Sequence, residues 1–251
     1  MLNVKRQPDP GLSGPTVRRR RAIGPDTPDE HRGSTVNLFR LDTSIMPAMS
    51  SSAALADIVE AEWKQAHPDG TVTRRHLGTD PVPADAWTLA TLARFIPEEE
   101  RTAEHLAAHA LAEELAAELL GADAVLLAVP LYNYGVSQHF KAWVDMIVHV
   151  TGNAGPALKD IPTVLVTVRG GGYGPGTPRE GWDHSTPFMV RVLADMWQAK
   201  VTVVERDLTL VGIKPEMDQF RDLAEQFHTR AREDALEAGR ALAAGRALAD
   251  R

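Results

Sequence analysis

Three short segments of this 251-residue chain hold residue types that can grip a small ligand. The first, Thr43-Ser44-Ile45-Met46-Pro47-Ala48-Met49-Ser50-Ser51-Ser52, places four serine hydroxyls ahead of a stretch of helical period. It is neither a Gly-Lys-Ser/Thr phosphate loop nor a Gly-x-Gly-x-x-Gly dinucleotide fingerprint. Hydroxyls at a helix start can hold a phosphate together with the free N–H groups and the positive dipole end of the first turn, and no lysine is needed. One serine there is an ordinary cap; four exceed what capping requires. The second segment, Pro130-Leu131-Tyr132-Asn133-Tyr134-Gly135-Val136-Ser137, sets two tyrosines around an asparagine, a surface for a flat, partly polar ring. In the third, Arg169-Gly170-Gly171-Gly172-Tyr173-Gly174-Pro175-Gly176, the glycines let backbone N–H groups approach a ligand rim where a Cβ would collide. Together the segments suit a ligand with a phosphate at one end and a ring at the other.

The elements that position these segments follow from hydrophobic period. Short β-rich runs at Val36–Asp42, Thr71–His76, Ala124–Pro130, Thr163–Arg169 and Val201–Arg206 alternate with helical stretches. The third and fourth runs are apolar throughout, as strands buried on both faces must be, and belong at the centre of a parallel sheet. The first helix carries Leu55, Ile58, Val59 and Trp63 on one stripe. Further helices are read over about Glu98–Leu120, Val136–Val150, Pro187–Gln198 and from Pro215 toward Ala249. The pattern predicts an α/β fold, a flavodoxin-like doubly wound five-stranded parallel sheet of order 2-1-3-4-5. A ligand then sits beyond the carboxyl ends of the first and third strands, where all three segments gather.

Composition bounds the rest. Hydrophobic residues make up 43% and charged residues 24% of the chain, ordinary values for a molecule with a buried core. The absence of cysteine excludes disulfides, thiolate catalysis and cysteine-ligated metals, and fits a cytoplasmic location. No run approaches the length of a membrane helix. Net charge is −7, unevenly spread: residues 1–35 hold seven Lys/Arg against four acids, leaving 20 basic and 30 acidic residues in the remainder. With nine Gly or Pro and few apolar residues, 1–35 is expected to be a disordered basic tail, and 36–251 the folded domain. An acidic body argues against a nucleic-acid enzyme.

The run Pro130–Asp145 (Pro-Leu-Tyr-Asn-Tyr-Gly-Val-Ser-x-x-Phe-Lys-x-Trp-x-Asp), with Val168-Arg169-Gly170-Gly171 and the Asp42-Thr43-Ser44-Ile45 to Ser50-Ser51-Ser52 loop, resembles the FMN-dependent NADH:quinone oxidoreductase/azoreductase family. The resemblance covers about residues 36–220. It implies a homodimer with one FMN per subunit, reducing quinones or azo compounds by two electrons in a ping-pong cycle, with NADH or NADPH as donor. By resemblance, Ser44, Ser50, Ser51 and Ser52 hold the phosphate. Pro130, Leu131, Tyr132, Asn133 and Tyr134 line the isoalloxazine, with Arg169, Gly170 and Gly171 on its pyrimidine side. Tyr134, Tyr173 and His184 are the candidates facing the acceptor. Flavin N5 takes the hydride, so no side chain is assigned as catalytic acid.

Two departures from the family pattern concern the acceptor. Segment 150–158 (Val-Thr-Gly-Asn-Ala-Gly-Pro-Ala-Leu) lacks the aromatic cover usual there, and Val168 stands where a hydroxyl is common. Quinones are therefore expected to be better acceptors than generic azo dyes, unless Tyr173 and Trp182 rebuild the wall. A tailoring reductase of one quinone-like or N–N-bonded metabolite, an electron-transfer flavoprotein and a flavin-free module are the rival readings. His105 and His109 have the spacing of a two-His metal face but no third ligand, and no metal is expected. Asp183, Ser185 or Thr186 is expected to cap the fourth helix.

Overall fold

The computed structural model describes residues 35–152 and 155–248. Nearly all of the basic 1–35 segment lies outside these residues. Five parallel strands, β1 (Asn37–Asp42), β2 (Thr71–His76), β3 (Ala124–Pro130), β4 (Pro162–Val168) and β5 (Lys200–Arg206), form one sheet of order β2-β1-β3-β4-β5. This is the predicted order, and every residue of β3 and β4 is buried.

Strand alternation feeds two cores. Phe39, Leu41, Val125, Leu127 and Leu165 point to one face, under α3 (Ala103–Leu120), α4 (Gln138–Thr151) and α5 (Thr186–Val190). Leu38, Leu126, Val164, Val166 and Val204 point to the other, under α1 (Ser51–Ala66) and α6 (Arg221–Ala243). Leu55, Val59 and Trp63 of the α1 stripe are fully buried.

Several boundaries differ from the sequence expectation, each for a local reason. A short helix, α2 (Ala86–Leu92), was not anticipated, because its seven residues are too few to show a helical period. Helix α3 starts at Ala103 rather than near Glu98, since Thr102 and His105 form a reciprocal capping box there and Glu98–Glu100 make a separate 3-10 turn. Beyond α5, Arg191–Met196 continue in π-helical geometry. The last helix begins at Arg221, after a 3-10 turn over Pro215–Phe220.

Two features fix α1 against the sheet. Arg40 of β1, a charge between the apolar Phe39 and Leu41, is buried and paired with Asp42 at 2.8 Å, Asp57 at 2.6 Å and Glu60 at 2.9 Å. On the opposite flank α6 approaches α1 through Gly239, where an added Cβ would lie 2.7 Å from Glu62 Cβ and 2.8 Å from Val59 O. Alanine has the better helix propensity by about 1 kcal/mol, yet crowding against backbone costs more. Gly239→Ala is expected to lower stability by about 1–3 kcal/mol in urea unfolding. A stabilised variant would mean that the two helices separate freely.

Candidate functional site

The site is built on the carboxyl ends of β1, β3 and β4. Thr43 leaves β1 with its N–H bonded to Ala128 O of β3 at 3.1 Å, so the first loop starts against the neighbouring strand. After a 3-10 turn at Pro47–Met49, Ser50 caps α1: its Oγ accepts the Ala53 N–H at 3.1 Å and lies 3.1 Å from Ser52 Oγ. The N–H groups of Ser51 and Ser52 have no partner among the described residues, which leaves the first turn of a 16-residue helix open to an anion.

The four serines are not equivalent. Ser44 is buried and turned inward: its Oγ accepts the Met46 N–H at 3.2 Å and faces the Tyr132 phenol at 3.4 Å. That phenol oxygen also accepts the Ile45 N–H at 3.2 Å, and either hydroxyl can donate to the other across the Ser44–Tyr132 contact. Ser44 and Tyr132 therefore join the first loop to the second. Ser52 is also buried, behind Ser50, and only Ser50 and Ser51 are partly open.

The second loop leaves β3 through Leu131, whose N–H bonds Val168 O at 3.0 Å, and reverses at once. Tyr132 and Gly135 exchange both backbone bonds, at 3.3 and 3.0 Å, around Asn133 (φ 48°) and Tyr134 (φ 68°). Two positive φ angles mark a type I′ turn, which asparagine tolerates and a bulky aromatic residue does not, at a cost of about 1–2 kcal/mol. The turn lifts Tyr134 outward, 40% exposed, edge-on to Trp182 with ring centroids 5.4 Å apart. Trp182 thus sets a second exposed ring beside Tyr134. Segment 150–158 was the ground for expecting quinones over azo dyes. In it α4 ends at Thr151 with Gly152 as its cap, and residues 153 and 154 lie outside the described residues.

In the third loop Arg169 is held from three sides: by Asp207, by Asp183 at 2.9 Å and by Glu205 at 3.1 Å. Its N–H bonds Arg206 O, so neither its charge nor its amide is open to a ligand. The N–H groups of Gly170, Gly171 and Gly172 have no acceptor among the described residues. An added Cβ would lie 2.6 Å from Leu210 Cδ1 at Gly170 and 2.6 Å from Arg179 Nη1 at Gly171, in each case the end of a flexible side chain that can turn aside.

Of the three residues expected to cap α5, Ser185 occupies the N-cap position without a side-chain cap bond, and Asp183 supplies the hydrogen bonds. It accepts the N–H groups of Ser185 and Thr186 at 2.8 and 2.9 Å and the Thr186 hydroxyl at 2.7 Å. Burial alone would raise its pKa, but the Thr186, Arg169 and Ser185 hydrogen bonds outweigh this and hold it below 3.8. His184 is exposed, its N–H bonded to Tyr134 O, while Tyr173 is buried beside the Tyr134 ring. His105 accepts the Thr102 N–H through Nδ1, and His109 packs edge-on to His149. Among the described residues no three His, Asp or Glu side chains gather as a metal requires. Arg179, above Tyr134 and Tyr173, was not singled out from sequence; an isolated arginine in a glycine- and proline-rich loop carries no pattern.

Fold and site together define a flavodoxin-like protein, and a family model described as flavodoxin-like fold matches residues 37–231. The chain is 43% identical over 209 residues to an FMN-dependent NADH:quinone oxidoreductase of Frankia alni, covering 80% of this chain and 97% of that protein. It is 38% identical over 200 residues to an FMN-dependent NADH:quinone oxidoreductase of Frankia casuarinae, covering 78% and 94%. An azoreductase from Bacillus anthracis shares the fold, with a TM-score of 0.65 at 21% identity over 82% of this chain and 99% of that one. A crystal structure of an FMN-dependent NADH-azoreductase from Bacillus anthracis in complex with FMN superposes with a TM-score of 0.63 at 16% identity, covering 82% and 100%. The chain belongs to the FMN-dependent NADH:quinone oxidoreductase family, and it is an oxidoreductase.

The Arg169 cluster makes a prediction of its own. Arg169→Met leaves buried carboxylates without a counter-charge and should cost about 3 kcal/mol at pH 7. In the native protein the Asp183 contribution is complete above pH 3.8 and is lost only as pH falls through its lower folded value. In the variant, protonation relieves the unpaired carboxylates, so the difference between the two proteins should shrink at about pH 4.5. Urea unfolding at both pH values measures this, and a constant difference would contradict the electrostatic role.

Proposed function

We propose that this protein binds FMN at the carboxyl edge of β1, β3 and β4, oxidises NADH or NADPH, and reduces quinones and azo compounds by two electrons. The observation that supports the reading is two groups of amides without an acceptor among the described residues, at Ser51–Ser52 after β1 and at Gly170–Gly172 after β4, with the Tyr132–Tyr134 turn after the intervening β3. One end fits a phosphate and the other the carbonyl-bearing edge of a ring. FMN, when bound, supplies two-electron transfer between nicotinamide and acceptor, which use the same face in turn, a ping-pong order.

The chain's part is to bind and orient. Ser50 and Ser51 and the amides of the first turn hold the phosphate, Leu131 to Tyr134 lie along the ring, and the Gly170–Gly172 amides meet the edge where negative charge collects. Tyr134 and Trp182 flank the acceptor. Direct oxidation of NADH by the purified protein without a partner protein would separate this reading from that of an electron carrier.

The domain acting here is residues 36–251, in a cytoplasmic setting consistent with a chain free of cysteine. No helix among the described residues is long and apolar enough to cross a membrane. The working form is a homodimer: Ile45, Met46 and Met49 are each more than half exposed on the loop that joins Tyr132, an apolar surface that a second subunit would cover.

Two measurements test the proposal. Ser50→Ala combined with Ser51→Ala should weaken FMN about tenfold or more while riboflavin, which lacks the phosphate, is weakened far less. Equal loss for both flavins would contradict a phosphate site. Light scattering at micromolar concentration with FMN present should give twice the chain mass, and a monomeric mass would remove the dimer.

A further inference from the structure

Arg179 stands over two aromatic rings at the acceptor side of the site, its guanidinium carbon 5.8 Å from the centroid of Tyr134 and 5.7 Å from that of Tyr173. It contrasts with Arg169, whose charge is committed to three carboxylates. Among the described residues Arg179 has no carboxylate partner. The acids around it are engaged elsewhere: Asp183, Glu205 and Asp207 on Arg169, and Glu180 as acceptor for the Gly176 N–H at 2.8 Å.

The surroundings give this cation a direction. Trp182, 51% exposed, meets Tyr134 edge-on, so two large rings stay open to solvent beside the guanidinium. Arg179 also rests on the Gly171 backbone, where a Cβ would lie 2.6 Å from its Nη1. The cation therefore adjoins the amides assigned to the flavin's edge. Aromatic walls take a flat ring, and a planar guanidinium takes a carboxylate or sulfonate through two parallel N–H bonds.

We propose that Arg179 is a specificity-determining residue that selects aromatic acceptors bearing a carboxylate or sulfonate over neutral acceptors of the same ring system. The inference rests on the FMN-dependent reductase reading and names the substrate class of that site.

The test compares wild type, Arg179→Met and Arg179→Lys, each carrying its FMN, with NADH as donor. The acceptors are 1,2-naphthoquinone-4-sulfonate and 1,2-naphthoquinone. The intrinsic reactivity of each quinone cancels in the variant-to-wild-type ratio. Arg179→Met should lower kcat/KM for the sulfonated quinone relative to the neutral one by about 10–100-fold, chiefly through acceptor KM. Arg179→Lys, which keeps the charge without the planar fork, should recover part of the ratio.

A second readout needs no turnover. Redox-inactive 2-naphthoate should quench tryptophan fluorescence in wild type but not in Trp182→Phe, and should bind Arg179→Met at least tenfold more weakly, while neutral 2-naphthamide distinguishes the proteins little. Equal loss for both quinones would reduce Arg179 to a packing residue. A raised KM for NADH with unchanged acceptor selectivity would assign the cation to the donor. Either result overturns the inference. A protein that fails to bind FMN or to oxidise NADH would refute the reductase reading, while the naphthoate titration would still decide the role of Arg179.

Discussion

One guanidinium holds the loop that follows β4 in place. Arg169 sits at the end of β4 and draws together Asp183, Glu205 and Asp207 from two separate stretches of chain. Each carboxylate then fixes something further: Asp207 receives the Tyr173 N–H at 2.9 Å, and Asp183 caps α5 through Ser185 and Thr186. The glycine amides, Tyr173, Arg179 and Trp182 all lie on chain anchored by this cluster. A partly buried ion network is a poor source of net stability, because desolvation offsets most of the Coulomb gain. Its value here is positional, since one arrangement satisfies all four groups and alternatives leave a buried charge unpaired.

The loop after β1 and the start of α1 are held by different means. Tyr132 reaches from the second loop to Ser44 and Ile45 in the first, and Arg40 ties β1 to α1 through Asp57 and Glu60. The helix whose first turn is open to an anion is thus fixed at its side by a buried arginine and along its length by the close approach of α6 at Gly239. Both regions meet at the β1/β3 boundary, where a doubly wound sheet leaves a crevice because connections depart in opposite directions.

Much of this was legible in the sequence, for physical reasons that differ by element. β3 and β4 declare themselves because a strand covered on both faces has no polar side to break its apolar run. The three loops could be placed at one edge because topology alone brings carboxyl ends together. What stayed hidden depends on contacts distant in sequence. Nothing near Arg40 announces that a charge inside a strand will meet Asp57 and Glu60 of the following helix. Arg169 was placed correctly in the fold and given to the ligand, whereas Asp183, Glu205 and Asp207 claim it. Asp183 was legible as a cap because capping is local; its second bond, to Arg169, was not. Helix α2, seven residues long, is too short for periodicity to reveal.

The backbone at Tyr134 has a consequence for anyone who would make this protein more heat-resistant. At the second central place of a type I′ turn, glycine is the residue that chain geometry prefers, and Asn-Gly is the pair such a hairpin favours. A consensus redesign that ranks positions by turn chemistry would replace Tyr134 early, and a melting curve would reward the choice. It would also remove the ring that Trp182 and Arg179 are built around. Here thermal stability and the proposed acceptor recognition ask for different side chains at one position, and screening by stability alone would select against the aromatic cluster.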